Sequence, residues 1–434
     1  MALNDIANKG AWLEIDFNAI SRQKPGKDYD GITLVDVGIF SHDNGYTYAK
    51  AITIKDADGN VYVHYNGTGD GNWHYNAAAY EQSPSLIQQW ALSYFDSTIS
   101  KYYEGEMSGD LYVTGHSQGA NNAQFVTLRS QYGDYIVNCV SIDGSGFSTQ
   151  SVADSKRLYG EAHFERQREK IWAYNGAFDF VGCMGQTQIV PDGQTVYIDT
   201  PAKSATDNIM YIFHDVRWMC DEFGKFNNIV PEENEYQRFL TEVTKKFNTY
   251  PQEQQERVAQ ILMMFSENMV SKNVLYTYEI SSNDLEELIT ILIPLAIDLL
   301  ASNHEMIAPV LRELGFGAPL ANAVDGLVSE FNKLSPASRE EALLLLAQAI
   351  TIKNNELDID FSNIDRFGVL AEVFPAIWET ALYHPWDALP VMLETGVDKI
   401  ISDLITDNVE VFSGVLLGAG AIILIVPWML PASI

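Results

Sequence analysis

The sequence predicts an α/β domain over residues 1–230 followed by an all-helical domain over 231–434. Three observations carry that expectation. Before about Pro231 strand-like and helix-like stretches alternate with Gly and Asn/Asp turns between them, the pattern of a largely parallel sheet covered by helices. After it, strand-like runs become scarce and stretches rich in Leu, Ala, Ile and Glu take over. The length, 434 residues, fits two or three domains at roughly 150 residues each.

Taken in order, Tyr46–Lys55 and Val61–Asn66 are β-rich runs around Asp56-Ala57-Asp58-Gly59-Asn60, a hairpin signal. Ser83–Tyr103 carries Leu86, Trp90, Leu92, Tyr94, Phe95 and Ile99 at helical spacing. Leu111–Thr114 reads as a short buried strand and Asn121–Ser130 as a helix that closes near Gly133. Tyr135–Ile142, Lys170–Tyr174 and Thr195–Ile198 read as further strands. In the second half, Asn283 with Glu286 resembles a capping box opening a helix through Leu300. Ser335-Pro336 resembles an N-cap with proline at the first helical position, ahead of a helix over Glu340–Ile350. Leu288–Ile297 is too short to span a membrane and reads as core.

Composition excludes several classes. Lys and Arg number 27 against 58 Asp and Glu, a formal net charge of −31, with −12 in residues 1–230 and −19 in 231–434. That balance argues against nucleic acid and against simple attraction to anionic lipid. The three cysteines, Cys139, Cys183 and Cys220, form no CxxC pair and no disulfide framework, and no Cys/His grouping has zinc-ligand spacing. The start of the chain, Met1-Ala2-Leu3-Asn4-Asp5, shows no basic region followed by an apolar core, so a secretory signal is not expected; export by a signal-independent route stays open. Residues 411–434 contain no charge, and Val415–Leu430 approaches the ~20 residues that cross a hydrocarbon core. Gly414 and Gly418 there form a GxxxG pattern. The segment reads either as membrane-seeking or as a buried hairpin broken at Pro427.

The strongest chemical signal is Gly115-His116-Ser117-Gln118-Gly119, a GxSxG motif between a strand and a helix. Such a tight turn lifts a serine hydroxyl above the sheet, and the helix N-terminus beside it favours developing negative charge. His116 is too close in sequence to the serine to act as its base. The stretch Val113–Gly119 (VTGHSQG) resembles the elbow of the class 3, fungal-type lipases and related bacterial lipase-like α/β-hydrolases. Val63-His64-Tyr65-Asn66-Gly67-Thr68 is similar to their F-R-G-T segment, with Tyr and Asn in place of Phe and Arg. The resemblance covers roughly residues 30–220. It implies an α/β-hydrolase (lipase-like) domain ahead of the helical one. Some lipase toxins exported by type VII secretion pair a lipase domain with a helical targeting domain, a likeness of architecture.

A serine hydroxyl needs a base oriented by a carboxylate, and in this fold the chain order is Ser, acid, His. Of His163, His214, His304 and His384, the resemblance implies His214 as base; His163 sits in a charged stretch that reads as a solvated helix face, and the others lie in the helical half. For the acid, Asp179 in Asp179-Phe180-Val181-Gly182 matches the family's D-x-V-G setting. Asp143, at the end of the preceding strand, is the competitor and reads as a turn-shaping residue. The oxyanion hole is expected from the backbone N–H groups of Gln118 and Thr68. Trp73, His74 and Tyr75 are candidates to line an acyl pocket or to pack. The loop Gly67–Gly71 lacks the GK[ST] ending of a phosphate loop.

These residues lead to a serine hydrolase of carboxylic esters, lipase- or phospholipase A-like, with the triad Ser117, Asp179 and His214 and without metal or cofactor. The expected partners are a lipid or ester substrate, a membrane through 411–434, and chaperone or targeting proteins on the helical half. The whole is compatible with a secreted antibacterial toxin. Two other readings stay open: a hydrolase of a soluble ester or amide, and a membrane-inserting or adaptor protein with an inactive elbow. A lid would fall in Ser145–Arg168 or Val190–Asn208.

Overall fold

A computed structural model of the chain describes residues 3–20, 28–29, 31–41, 47–69, 72–82, 84–103, 109–200, 214–231, 233–270, 278–313, 318–348, 350–353 and 356–359. They divide into two compact units. One takes in the chain to Pro201 and resumes in the stretch that ends at Gln237; the other begins at Arg238.

The first unit is built on a nine-stranded sheet whose strands follow in chain order: β1 (Asp28–Tyr29), β2 (Ile32–Ser41), β3 (Thr47–Lys55), β4 (Val61–Tyr65), β5 (Leu111–His116), β6 (Ile136–Ile142), β7 (Ile171–Gly176), β8 (Thr195–Ile198) and β9 (Ile229–Val230). β1 to β4 pair antiparallel, β4 to β8 pair parallel, and β9 returns antiparallel. Crossover helices cover the parallel part: α2 (Leu86–Tyr103), α3 (Gln118–Arg129), and the pair α4 (Thr149–Tyr159) and α5 (Glu161–Arg168). Each strand and helix expected in this half overlaps one of these elements, with ends that differ by up to three residues. The candidate lid stretch Ser145–Arg168 folds largely as α4 and α5, while much of the other, from Pro201 on, lies outside the described residues.

Alternation along the strands explains how the sheet is buried on both faces. Val61, Val63 and Tyr65 of β4, with Leu111 and Val113 of β5, pack against Ala91, Phe95 and Ile99 of α2 and Ala123 and Val126 of α3. The intervening Tyr62 and Tyr112 face the opposite side, where they meet a helix at the start of the chain, α1 (Leu3–Ile20), through Ile6, Ala7, Ala11 and Leu13. The β3–β4 turn is held by Asp56, whose Oδ1 accepts from the N–H groups of Asp58 (3.0 Å) and Asn60 (2.9 Å). Gly59 takes φ +87° there, which explains the glycine of the DADGN signal. Asp56 Oδ2 also accepts from Lys9 Nζ at 2.8 Å, tying α1 to the hairpin.

The division between units falls within α6 (Glu235–Phe247), and the second unit continues with α7 (Gln252–Val270), α8 (Ser282–Ser302), α9 (His304–Glu313), α10 (Ala318–Lys333) and α11 (Pro336–Ala347). Two sequence expectations are corrected here. The capping box on α8 is Ser281 with Asp284, not Asn283 with Glu286: Ser281 Oγ accepts from Asp284 N–H (3.2 Å) and Asp284 Oδ2 from Ser281 N–H (2.7 Å). Helix α11 ends at Ala347, and Ile350 begins a hairpin, β10 (Ile350–Lys353) with β11 (Glu356–Ile359). The β-branched run Ile350-Thr351-Ile352 favours a pleated over a helical backbone. Leu288, Ile291, Leu292, Ile293, Leu295 and Ala296 of α8 are buried. Among the described residues no helix is long and apolar enough to cross a membrane; residues 411–434 lie outside them.

Candidate active site

Ser117 stands at the turn from β5 into α3 with φ 57° and ψ −126°, a strained conformation of the kind that costs about 1–3 kcal/mol and persists only where its surroundings enforce it. Its N–H donates to Ile142 O on β6 (2.9 Å), and its carbonyl accepts from Ala120 N–H (2.9 Å). The flanking glycines are dictated by contact. A Cβ on Gly115 would lie 2.2 Å from Gly119 O, and one on Gly119 would lie 2.1 Å from Tyr65 O. No other residue fits either place.

His214 lies beside this serine. Its Nδ1 is 2.6 Å from Asp179 Oδ1 and its Nε2 is 2.7 Å from Ser117 Oγ. With Nδ1–H donating to the carboxylate, Nε2 is the acceptor for the serine hydroxyl. Asp179 is fully buried in the loop after β7, where its Oδ2 accepts from Gly182 N–H (2.7 Å) and its carbonyl from Gln237 Nε2. The D-x-V-G spacing thereby has a local reason: the glycine N–H three residues on closes a turn around the carboxylate. Phe180 covers one side of the imidazole, ring centroids 5.6 Å apart.

Gln118 heads α3, so its N–H is among the first-turn donors that have no acceptor within the helix. Gly67 packs against the elbow, a Cβ there lying 3.3 Å from both His116 O and Ser117 Cβ, and Thr68 follows it in the chain. Two asparagines that the sequence reading did not single out, Asn72 and Asn76, shape this loop together with the Gln118 side chain. Asn76 Nδ2 donates to Thr68 Oγ1 (3.1 Å), Gln118 Nε2 donates to Asn76 Oδ1 (3.0 Å), and Asn72 Nδ2 donates to Gln118 Oε1 (3.2 Å). Gly69 N–H donates to Asn72 Oδ1 (2.7 Å). Paired asparagines in an otherwise Gly-rich loop were the available signal.

The structure thus brings together Ser117, His214, Asp179, Gln118 and Thr68. The other candidates take different places. Asp143, fully buried at the end of β6 with φ 49°, accepts Gly176 N–H on Oδ1 (2.7 Å) and joins the ends of β6 and β7. Burial and the nearby charge of Asp179 push its carboxyl well above the usual range. His163 lies on α5 against Arg166. Trp73, His74 and Tyr75 open a 3₁₀ turn, Trp73–Ala79, where burial pulls the His74 ring down to about 4. Cys139, Cys183 and Cys220 are free thiols.

Among the described residues, His116, Asp143 and His214 each place one donor atom within 4.8 Å of the others. Both ring nitrogens of His214 already have protein partners, so this group offers a cation two ready donors at most.

A largely parallel sheet with crossover helices and a serine at a strand-to-helix elbow, followed along the chain by Asp179 and His214, is the arrangement of the α/β-hydrolase fold. Residues 37–264 match the model of the Mbeg1-like family, more than half of the chain, and the protein belongs to that family. Among solved structures the chain is similar to a triacylglycerol lipase from Penicillium expansum, at 14% identity over 54% of this chain and 91% of that one, with a TM-score of 0.30. It is also similar to the Lip2 lipase from Yarrowia lipolytica, at 14% identity over 45% of this chain and 79% of that one, with a TM-score of 0.27. No curated protein matches the chain.

Proposed function

We propose that the first unit is a serine hydrolase that cleaves carboxylic esters of lipids through an acyl-enzyme on Ser117. The observation that carries this reading is the unbroken line from Ser117 Oγ through His214 to Asp179, 2.7 and 2.6 Å, on a strained strand–helix turn. His214 Nε2 takes the hydroxyl proton as Oγ attacks the ester carbonyl carbon, and the carbonyl oxygen gains the charge. The N–H groups of Gln118 and Thr68 receive that oxyanion. His214 then gives its proton to the departing alcohol, and water repeats the cycle to release the acid. Asp179 stays ionised, fixes the ring tautomer and offsets the imidazolium charge.

The lipid class of substrate is supported by the likeness of the elbow to that of class 3 lipases. Within the same proposal, the acidic helical half serves targeting or chaperone proteins, residues 411–434 meet a membrane, and the enzyme acts as an exported antibacterial lipase. That part rests on architecture. Phospholipid and glyceride vesicles compared with a short soluble ester test the reading. Fatty-acid release from vesicles is expected, falling roughly 10³-fold or more in Ser117→Ala. Release that survives the substitution contradicts a catalytic Ser117, and a preference for the soluble ester would shift the substrate to a small molecule.

A further inference from the structure

One carboxylate outside the triad touches three separate parts of the site. Glu14 on α1 accepts from His64 Nε2 on Oε2 (2.7 Å) and from Gly67 N–H on Oε1 (3.3 Å), and Oε1 lies 3.7 Å from His116 Nδ1. The far edge of the His116 ring donates from Nε2 to the backbone carbonyl of His214 (2.8 Å). The two imidazoles stack, ring centroids 4.9 Å apart. A single side chain from the start of the chain therefore reaches the oxyanion loop, the elbow and, through His116, the segment that carries the base. A buried charge and a buried imidazole are costly arrangements unless paired, and no proton transfer in the reaction uses either.

We propose that Glu14 and His116 form a second acid–histidine pair, behind the reacting atoms, that positions His214 and the Gly67–Thr68 loop. Both are positioning residues, and the inference rests on the hydrolase reading of Ser117. The bond from His116 goes to the backbone of His214 and not to its ring, so it fixes where the base stands while both ring nitrogens remain free for Asp179 and Ser117. A neutral imidazole has one N–H, whereas its cation offers one toward each side. Glu14 from α1, and Asp179 and the His214 carbonyl from the segments beyond β7, favour the cation; Asp143 at the end of β6, with Oδ2 at 3.9 Å from Nε2, also faces the ring but is held toward its neutral form. His64 from β4 shares the same carboxylate. Burial alone would lower the His116 ring, but these partners outweigh it and raise it above the ordinary histidine value.

The test uses the full chain and the variants Glu14→Gln, Glu14→Ala, His116→Ala and His116→Gln. It reads kcat and KM on a soluble p-nitrophenyl ester from about pH 5 to about pH 9, and the ¹⁵N signals of the His116 ring. His116→Ala is expected to lose about 10- to 100-fold in kcat with KM within about twofold, as a small misplacement of a catalytic group does. His116→Gln keeps a donor for the His214 carbonyl without a titrating ring; it should recover most of that loss and flatten the alkaline fall in kcat. Glu14→Gln should move that fall to lower pH. The wild-type ring should carry protons on both nitrogens at neutral pH. Unchanged kcat in His116→Ala and Glu14→Ala overturns the proposal, as does a loss that His116→Gln fails to recover in a folded protein, or a neutral His116 ring at neutral pH. A wild type inert toward esters overturns the Ser117 reading instead, and the ring signals then decide the pair by themselves.

Discussion

Asp179 and Asp143 are both fully buried at neighbouring strand ends, yet the site treats them differently. Asp179 Oδ1 holds His214 Nδ1 at 2.6 Å, while Asp143 spends Oδ1 on Gly176 N–H and is pushed toward its protonated form by burial and by Asp179. Asp179→Asn should therefore lower kcat roughly 10³- to 10⁴-fold, because the ring loses its tautomer and its counter-charge. Asp143→Asn keeps the acceptor for Gly176 and should leave kcat within about tenfold. Steady-state hydrolysis of one soluble ester by both variants checks this, and the reverse order would reassign the acid. These two roles were open in the sequence, where both aspartates end a strand. The D-x-V-G spacing favoured Asp179 for a reason the structure supplies, the Gly182 N–H on its second oxygen.

Helix α1, like strand β2, is an element that sequence reading passed over. Ile6, Ala7 and Ala11 lie on one face at helical spacing. Gly10 packs so closely on β5 that a Cβ would sit 2.4 Å from Thr114 Oγ1. Its polar anchors, Lys9 to Asp56 and Glu14 to His64, pair residues some fifty positions apart, which no local pattern announces. Strands β3 to β8 and the crossover helices α2 and α3 were legible because each carries its own periodicity. The cap of α8 was placed two residues late because Ser281-x-x-Asp and Asn283-x-x-Glu are equally good local patterns. Ser281→Ala should destabilise the second unit by about 1 kcal/mol, read from its denaturation midpoint. The anchoring of α1 has a pH window. Burial raises the Glu14 carboxyl, but the bonds and charge of His116 and His64 bring it from 4.5 down to about 2, so its contribution is present above 4.5 and lost as pH falls toward 2. His116, raised above 6.5, contributes fully below that value and less as pH rises through its own. Hydrogen-exchange protection of α1 should therefore peak between about pH 4.5 and pH 6.5, and Glu14→Gln should flatten the profile.

At the scale of the whole molecule, the formal charge of −31 opposes approach to anionic lipid. If the substrate is presented in a bilayer, fatty-acid release from anionic vesicles should rise as salt screens this repulsion, and release from zwitterionic vesicles should change little. A rate on anionic vesicles that falls with salt would point instead to a local basic contact. The sequence was most informative where chemistry is local, as in the GxSxG turn whose glycines a backbone contact near 2 Å enforces. It was least informative where function depends on long-range convergence, as with Glu14, Asn72 and Asn76, none of which belongs to a motif. The central claim is that Ser117 is an activated nucleophile. Covalent labelling of the full chain by a fluorophosphonate, with the modified residue located by mass spectrometry, tests it most directly. The account predicts one adduct, on Ser117, absent from Ser117→Ala and strongly slowed in His214→Ala. Labelling that persists in Ser117→Ala, or its absence from the wild type in buffer and in detergent alike, would contradict it.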